Sequence, residues 1–230
     1  MILAEVMIAL AVAGFVAYLS PWLWRQKVMN ATARHLRDAR ALVLTYDDGP
    51  NPTFTPKLLD LLHSYKVKAT FFVVGRNAQK YPEIIDRIVQ EGHNLGCHTQ
   101  KHFNAWKTSP WRAVADIDAG YRTLSPWMSP DGMFRPPHGK MTLPTYMSLR
   151  RRHAKVWWWT VDSGDTYKIL PEPSTVENAV LSARGGIVLF HDLHTQERPE
   201  ERDAFVIQTT AALLQLARRE NLRVASLNEL

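Results

Sequence analysis

The alternation of short apolar runs with helix-like segments is the feature that most constrains the fold of this chain. Seven apolar runs rich in β-branched or aromatic residues are strand candidates: 41–46, 69–74, 94–97, 133–135, 155–159, 186–190 and 222–225. Segments with helical spacing separate them: 55–64, 82–91, 110–124, 143–152, 174–183 and 202–219. Such alternation indicates parallel strands with helical crossovers, either closed into a barrel or open as a doubly wound sheet. We therefore predict one α/β domain over 41–230.

Titratable side chains follow the predicted strands at their carboxyl ends. They are Asp47 and Asp48 after the first strand, His98 and His102 after the third, Arg135 at the end of the fourth, Asp162 and Asp165 after the fifth, and His191 and Asp192 after the sixth. The carboxyl ends of parallel strands share one face of the fold, where functional residues collect. The pattern predicts a single active site built from these residues.

Two histidines in this set have a spacing that metal sites use. On a helix, the H-x3-H spacing of His98 and His102 places both imidazoles on one face, within reach of one ion. Together with Asp48 they make a set of two histidines and one carboxylate, which leaves coordination positions for water and substrate. Thr99 follows the first histidine where an HExxH peptidase has glutamate. We predict that Asp48, His98 and His102 bind one divalent ion, and zinc suits these ligands.

The adjacent carboxylates of Asp47 and Asp48 precede Gly49-Pro50, so they point in different directions and can divide their roles. One can bind the metal while the other transfers protons. The same stretch also suits an Asx-type turn with no chemical role, and that alternative stays open at this point.

Five segments resemble, in order and at normal spacing, the motifs of the polysaccharide deacetylase family, the NodB homology domain of carbohydrate esterase family 4. They are 45–50 (TYDDGP, with Tyr46 where Phe is usual), 98–102 (HTQKH), 135–139 (RPPHG), 161–165 (VDSGD) and 189–192 (LFHD). The resemblance covers about residues 40–230. His138 stands where the family usually has an aromatic residue and Thr166 where it usually has Trp, which puts a long polysaccharide groove in doubt.

The resemblance implies a distorted (β/α)7 barrel and a metal-dependent hydrolase that removes an N-acyl group, typically acetyl, from an amino sugar. It also implies a role for each matched residue. Asp48, His98 and His102 would bind the metal, Asp47 would be the general base and His191 the general acid, Arg135 and Asp165 would hold these two, and the segments around His138 and Leu189 would contact the substrate or its oxyanion.

The start of the chain has a different composition. Residues 6–24 carry no charge, and these nineteen residues would span roughly 28 Å as a helix, close to the thickness of a bilayer's hydrocarbon core. Tyr18, Trp22 and Trp24 stand where aromatic rings favour the membrane interface, and Pro21 is expected to bend or end the helix there. We predict a membrane anchor over 1–24.

A basic stretch follows, which we interpret as a juxtamembrane linker over 25–40. A cleaved signal peptide is the alternative, because 31–33 (ATA) resembles a cleavage site, but Arg25 and Lys27 lie where a cleavage region is uncharged. No Lys or Arg precedes the apolar run, so the positive-inside rule favours a cytoplasmic catalytic domain. Such a domain would meet a glycolipid or lipid-linked sugar.

The net charge of +6 favours anionic partners. No nucleic-acid motif accompanies the arginines, so we predict contact with membrane lipids and not with nucleic acid. Three other functions stay open: an exported deacetylase of peptidoglycan or chitin, an inactive binding module that kept the barrel, and a metal phosphoesterase.

Overall fold

Eight short parallel strands and eight helices make up the computed structural model, which describes residues 2–129, 131–193 and 197–230. The strands are β1 (Ala41–Asp47), β2 (Thr70–Val73), β3 (Asn94–Cys97), β4 (Met133–Phe134), β5 (Lys155–Val156), β6 (Val161–Asp162), β7 (Gly186–His191) and β8 (Arg223–Val224). The helices are α1 (Ile2–Ala39), α2 (Thr55–Tyr65), α3 (Gly75–Lys80), α4 (Pro82–Gln90), α5 (Pro110–Leu124), α6 (Leu143–Arg151), α7 (Pro173–Ala183) and α8 (Pro199–Arg219).

The strands form one curled sheet in the order β5-β4-β3-β2-β1-β7-β6, and β8 pairs with the start of β1. The two end strands, β5 and β6, are consecutive in the chain, with only residues 157–160 between them. The ends of the sheet therefore meet, although no ladder of hydrogen bonds joins them. This curled half-barrel, together with the apolar N-terminal helix, confirms the predicted distorted α/β barrel.

One predicted strand has a different form in the structure. The run 155–159 was expected to be a single strand, yet β5 ends at Val156 and a separate strand, β6, begins at Val161 and pairs with β7. The break is the seam at which the sheet stops short of closing. Asp162, the last residue of β6, and Asp165 after it consequently lie at the other edge of the sheet.

The sheet carries apolar side chains on both faces. Val43, Phe72, Met133 and Ile187 pack together inside the barrel, and the larger cluster between sheet and helices surrounds them. Register places Asp47 of β1 beside His191 of β7. Because alternate strand residues point to the same face, the inward row of β1 runs from Val43 through Thr45 to Asp47 at the carboxyl end.

Four of the crossover helices begin with a proline. α4, α5, α7 and α8 each have Pro at the first helical position, where the missing N–H costs no hydrogen bond. Their bounds agree with the predicted segments to within about three residues. The short helix α3 was not predicted, because GRNAQK has too few apolar residues to show a helical period.

Helix α1 is continuous from Ile2 to Ala39, so Pro21 does not end it. Its second half packs on the barrel: the Trp24 ring lies 4.8 Å from Tyr146 and 5.3 Å from Trp158. Leu36 is fully buried within the inner cluster of the barrel. The basic stretch 25–39, which we expected to be a linker, is thus helical and packed on the barrel. The boundaries between anchor, linker and catalytic domain, after residues 24 and 40, stay a prediction.

The docked half of α1 covers the seam. Val28, Met29 and Thr32 face residues 155–160 across a small cavity of about 190 Å³. In the apolar half of α1, the most hydrophobic 18-residue stretch has no buried residue. Among the described residues, α1 is the one helix that is long and apolar enough to cross a membrane.

Candidate active site

The titratable residues predicted from the sequence meet at the carboxyl ends of the barrel strands. Asp48, His102, His138, Thr166 and His191 line a cavity of about 330 Å³, together with Val74 after β2 and Arg76 and Asn77 of α3. Five predicted residues are buried and do not line the cavity: Asp47, His98, Arg135, Asp165 and Asp192. Two further predicted positions also lie outside it. The side chain of Leu189 is buried in β7, and Asp162 is exposed, with its carboxylate accepting the Gly164 N–H at 2.9 Å.

Three of these side chains converge on one point. Asp48 Oδ1 lies 3.1 Å from His102 Nε2 and 3.4 Å from His98 Nε2. Tetrahedral ligands at zinc bond lengths of about 2.0–2.1 Å lie roughly 3.3 Å apart. The spacing of the three atoms therefore fits a single divalent ion, and the ligand atoms all lie within 4.8 Å of one another.

The protonation of His98 suits metal binding. Its Nδ1 lies 2.7 Å from the carbonyl of Arg135, which can only accept a hydrogen bond, so Nδ1 carries the proton and the Nε2 lone pair faces Asp48. Burial lowers the pKa of His98 to about 4, although the nearby Asp47 and Asp48 act to raise it. His98 is thus a neutral imidazole at physiological pH.

The carboxylate of Asp48 is held in its charged form. Burial opposes ionisation, but the imidazoles of His102, His191 and His98 outweigh it and keep the pKa of Asp48 below its usual range. The backbone carbonyl of Asp48 accepts a hydrogen bond from Asn77 Nδ2 at 2.8 Å. Asp48 has a left-handed backbone with φ of 78°, which Asn77 helps to fix.

The expectation that His98 and His102 share a helical face is wrong in detail. Residues 98–102 form an irregular loop after β3, with φ of 65° at Thr99 and 61° at His102. The Thr99 hydroxyl accepts the His102 N–H at 2.9 Å. A tight loop therefore brings the two imidazoles together, with ring centroids 5.0 Å apart.

Asp47 is paired with a buried arginine. Arg135 is completely buried, and its Nη1 donates to Asp47 Oδ1 at 2.7 Å and to Thr45 Oγ1 at 2.8 Å. Its guanidinium also lies over the Phe72 ring at 4.1 Å. The second oxygen of Asp47, Oδ2, is 3.8 Å from His98 Nε2 and so faces the cluster.

His191 is paired with a buried carboxylate. Asp165 is completely buried, and its Oδ1 lies 3.0 Å from His191 Nδ1 while its Oδ2 accepts the His191 N–H at 2.6 Å. Burial acts to lower the pKa of His191, but the charge and hydrogen bond of Asp165 raise it to about 10. His191 therefore carries a proton at neutral pH.

Asp192 holds the turn that carries Asp47 and Asp48 in place. Its carboxylate accepts the Gly49 N–H at 2.9 Å and the Thr55 hydroxyl at 2.7 Å, and its own N–H donates to the Asp47 carbonyl at 3.0 Å. Burial raises the pKa of Asp192 to about 7, against these hydrogen bonds. The turn that follows β1 is thus tied directly to the end of β7.

Replacing Gly49 by alanine is expected to destabilise the fold and reduce activity. A Cβ at this position would lie 2.1 Å from Asp192 Oδ2, so the turn carrying Asp47 and Asp48 would have to move. We expect a loss of about 1–3 kcal/mol, typical of overpacking. Thermal unfolding measures it, with Gly14→Ala as the control because a Cβ there meets nothing within 4 Å. Equal stability of both variants would contradict the packing argument.

Sequence reasoning missed the segment that follows β2, which consists of Val74 and the start of α3. Val74, Arg76 and Asn77 line the cavity, although no candidate was assigned after the second strand. Their position directly after a strand end was the available signal. Arg76 and Asn77 are not acid–base or typical metal-binding residues, so the search for titratable clusters passed over them.

Fold and site together define a parallel α/β barrel with one aspartate and two histidines, placed closely enough to hold a metal ion, at the carboxyl ends of its strands. A family model described as polysaccharide deacetylase matches residues 35–157. The chain belongs to the polysaccharide deacetylase family, hydrolases that deacetylate carbohydrates, which confirms the resemblance read from the five motifs. The matched range includes Asp47, Asp48, His98, His102 and Arg135 but ends before Asp165 and His191.

Individual relatives agree with this placement. A peptidoglycan-N-acetylglucosamine deacetylase of Bacillus cereus is 35% identical over 156 residues, which are 66% of this chain and 73% of that protein. A chitooligosaccharide deacetylase of Bradyrhizobium sp. is 35% identical over 158 residues, 66% of this chain and 71% of that protein. The crystal structure of the Bc1960 peptidoglycan N-acetylglucosamine deacetylase superposes with a TM-score of 0.73 at 28% identity, covering 84% of this chain and 88% of that one.

Proposed function

We propose that this protein is a metal-dependent N-deacetylase that hydrolyses the acetamide of an amino sugar. The observation that carries the proposal is the convergence of Asp48, His98 and His102 between a buried carboxylate, Asp47, and a protonated imidazole, His191. Hydrolysis of an amide needs a proton acceptor for water and a proton donor for the leaving amine. Asp47, beside His98, can accept the proton from water, and His191, in the cavity wall, can donate a proton to the amine.

The metal-binding set suits zinc by its chemistry, because two neutral imidazoles and one carboxylate are common zinc ligands. When bound there, the ion would supply a Lewis acid that polarises the acetyl carbonyl and lowers the pKa of water. Asp48, His98 and His102 would hold it. The hydrogen bond between His98 Nδ1 and the Arg135 carbonyl orients that imidazole, while the bonds from Asn77 Nδ2 to the Asp48 carbonyl and from the His102 N–H to Thr99 Oγ1 hold the backbone of the other two residues.

Asp47 is the proposed general base. Its Oδ2 faces the cluster, while Oδ1 accepts a hydrogen bond from the buried Arg135 at 2.7 Å. A carboxylate that is both charged and fixed in place can accept a proton from attacking water. Arg135 is thus a positioning residue that acts through Asp47.

The oxyanion of the intermediate needs backbone donors near the cluster. In the segment 136–140, Pro136 and Pro137 have no N–H, and the N–H groups of Gly139 and Lys140 already donate to the carbonyls of these prolines. The amide of His138 is therefore the donor that we assign to the oxyanion. The His138 ring, 4.7 Å from that of His102, would contact the sugar.

His191 is the proposed general acid, with Asp165 keeping it protonated. Replacing Asp165 by asparagine should move the alkaline limit of activity to lower pH. The pKa of His191, about 10 with Asp165 present, would fall, because burial lowers it and only the charges of Asp48 and Asp47 would still raise it. The proton donor is available below the pKa of His191, so the variant should lose activity around neutral pH and retain more of it in acid.

The pH dependence of kcat/KM and an NMR titration of His191 would measure this shift. Asp162→Asn is the matched control, since Asp162 lies in the same segment but its carboxylate is exposed and accepts only a local N–H. The raised pKa of His191 also affects stability. The His191–Asp165 pair contributes its full stabilisation of the folded state below the pKa of an unfolded histidine, about 6.5. This contribution is lost as the pH rises through the folded-state pKa of about 10. An alkaline limit unchanged in Asp165→Asn would refute the role of His191.

The finer part of the proposal concerns substrate and place: α1 anchors the enzyme in the membrane, and a lipid-linked amino sugar is the substrate. Five cations follow the apolar run: Arg25, Lys27, Arg34, Arg37 and Arg40. Arg25 and Lys27 directly follow the apolar run, where a cation near an anionic surface contributes about 1 kcal/mol, and the positive-inside rule favours a cytoplasmic location for this end of α1. Thr166 and His138 in place of aromatic residues suit a short glycan.

A second candidate function is deacetylation of an exported polymer. It is favoured by the relatives named above, a peptidoglycan-N-acetylglucosamine deacetylase and a chitooligosaccharide deacetylase. Cysteine labelling tests directly on which side of the membrane the catalytic domain lies. The one cysteine, Cys97, is buried, so a cysteine introduced at the protein surface would be the reactive one. Labelling of Asp60→Cys from outside intact cells would favour the exported enzyme, and protection from labelling the cytoplasmic one.

One assay separates the remaining functions. The purified full chain, supplied with zinc, is incubated with a lipid-linked N-acetylated amino sugar, with chitooligosaccharides and with peptidoglycan, and acetate, free amine and phosphate are measured. Acetate and amine from the lipid-linked sugar support the proposal. The same products from polymers alone support the exported enzyme, phosphate release indicates a phosphoesterase, and no product from any substrate indicates an inactive binding module.

A further inference from the structure

Helix α1 runs antiparallel to β1 and along the full height of the barrel. It ends at Ala39, just before β1 begins at Ala41, so its carboxyl end lies opposite the active site. Tyr18, near the middle of the helix, packs edge-on against Trp106 with ring centroids 6.1 Å apart. Trp106 belongs to the connection that leaves the carboxyl end of β3. The apolar half of α1 therefore leaves the barrel on the active-site side.

A second contact ties α1 to the active site itself. Arg25 Nη1 donates to the Gly139 carbonyl at 3.3 Å, and its guanidinium lies 5.3 Å from the centre of the Trp159 ring. Gly139 directly follows His138, which lines the catalytic cavity. The direction of α1 is thus fixed at two rim segments, one after β3 and one after β4.

Exposed apolar side chains are concentrated on the same rim. Outside α1, six large hydrophobic residues are exposed among the described residues, and four of them follow strand ends: Trp106, Tyr167 and Ile169 on connections and Trp111 in the first turn of α5. Trp111 is 80% exposed and Ile169 is 82% exposed. Isolated exposed apolar residues are ordinary, but a group at the same end of the barrel as the catalytic cavity marks an interaction surface.

Cations are interleaved with these apolar residues. Lys140 Nζ lies 4.2 Å from the centre of the Trp106 ring, and Lys168 stands between Tyr167 and Ile169. The rim segments 98–112, 135–142 and 166–171 contain no Asp or Glu, and the exposed acidic residues Glu197, Glu200 and Glu201 lie apart from them, after β7. Aromatic and basic residues without acidic ones are the composition of surfaces that bind anionic membrane interfaces.

We propose that this rim patch, formed by Trp106, Trp111, Lys140, Tyr167, Lys168 and Ile169, lies against an anionic lipid bilayer, with the catalytic cavity opening toward the headgroups. The inference rests on the proposed membrane attachment through α1 and adds the orientation of the barrel. An enzyme held this way reaches a sugar carried on a lipid at the bilayer surface. It has no open path from its cavity to a polymer at a distance from that bilayer.

Site-directed labelling tests the orientation. Ile169→Cys on the rim and Val89→Cys near the opposite end of the barrel receive the same fluorophore, while the buried Cys97 stays unlabelled in the folded protein. The full chain is reconstituted in vesicles of phosphatidylglycerol and phosphatidylethanolamine that contain a lipid with a headgroup-level quencher. We expect strong quenching at position 169 and little at 89, an exposed apolar position matched in type.

The outcomes separate this inference from the proposed attachment. A chain that does not co-sediment with the vesicles would refute both. Co-sedimentation with equal quenching at 169 and 89 would refute the orientation alone. A third outcome is that the label at position 169 is not quenched but shows energy transfer to a label on another copy of the chain. That result would show that the rim binds a second copy, and it would also overturn the proposal.

An activity measurement gives an independent reading. The double variant Trp111→Ser, Ile169→Ser should deacetylate a vesicle-borne N-acetylated amino sugar several-fold more slowly than the unchanged enzyme. Its rate on a soluble chitooligosaccharide should be unchanged, because neither residue lines the catalytic cavity. Val89→Ser is the matched control and should alter neither rate. Equal loss on both substrates would mean that the rim residues act by maintaining the barrel and not by binding the bilayer.

Discussion

Replacing His98 by alanine is expected to remove the bound metal and lower turnover by on the order of 10³. A Lewis acid at this position contributes several kcal/mol to the transition state, and each 1.4 kcal/mol corresponds to a factor of ten. His98 is the ligand with the most restricted environment, since it is buried and its Nδ1 is bonded to the Arg135 carbonyl. Metal content per chain and kcat, measured on the same sample, should fall together.

The control for this prediction is His63→Ala. His63 lies exposed on α2, remote from the strand ends that form the site, and its loss should change neither metal content nor turnover. His102→Ala should behave like His98→Ala, because both Nε2 atoms face the same oxygen of Asp48. A His98→Ala enzyme with full metal content and full turnover would show that the metal, if any, binds elsewhere.

Replacing Asp47 by asparagine should separate metal binding from catalysis. The amide keeps the shape of the side chain but cannot accept a proton, so we expect turnover to fall by on the order of 10² to 10⁴. Metal content should stay close to that of the unchanged enzyme, because Asp47 Oδ2 is the more distant of the two carboxylate contacts of His98, at 3.8 Å against 3.4 Å for Asp48 Oδ1.

Stability has to be measured alongside turnover in this variant. Arg135 is fully buried, and its charge would be left beside a neutral amide, a change that costs about 3–5 kcal/mol when a buried pair is broken outright. The remaining amide oxygen can still accept the Arg135 hydrogen bond, so a smaller loss is expected. Asp60→Asn, which alters an exposed ion pair with Arg87, is the control. Loss of metal together with turnover in Asp47→Asn would mean that the two aspartates were assigned the wrong roles.

Much of the fold follows from local pattern. The strands β1, β2, β3 and β7 are buried apolar runs, so their positions are visible in the sequence. The seam between β5 and β6 was not predictable this way, because 155–159 reads as one β-rich run, although β5 ends at Val156 and β6 begins only at Val161. Where a curled sheet stops closing depends on pairing between distant strands, and no local window contains that information.

The site was predictable to a similar degree. Residues after strand ends identified the cluster, and the H-x3-H spacing pointed to two neighbouring imidazoles although a loop and not a helix holds them. The docking of α1 was missed for a different reason. Trp24, Val28, Thr32 and Leu36 form an i, i+4 row that faces the barrel, but the arginines around it indicated a solvated linker.

The position of α1 over the seam limits how a soluble version of this enzyme can be made. A cut at any bond between Trp24 and Ala39 would remove part of the cover from residues 155–160, and a chain beginning at β1 would also lack Leu36, whose side chain fills the barrel interior. Water would then reach a surface that is apolar on both sides of the seam. Shortened forms that begin before Tyr18 keep every contact between α1 and the barrel that is described above, so solubility has to be sought by trimming the exposed apolar turns alone.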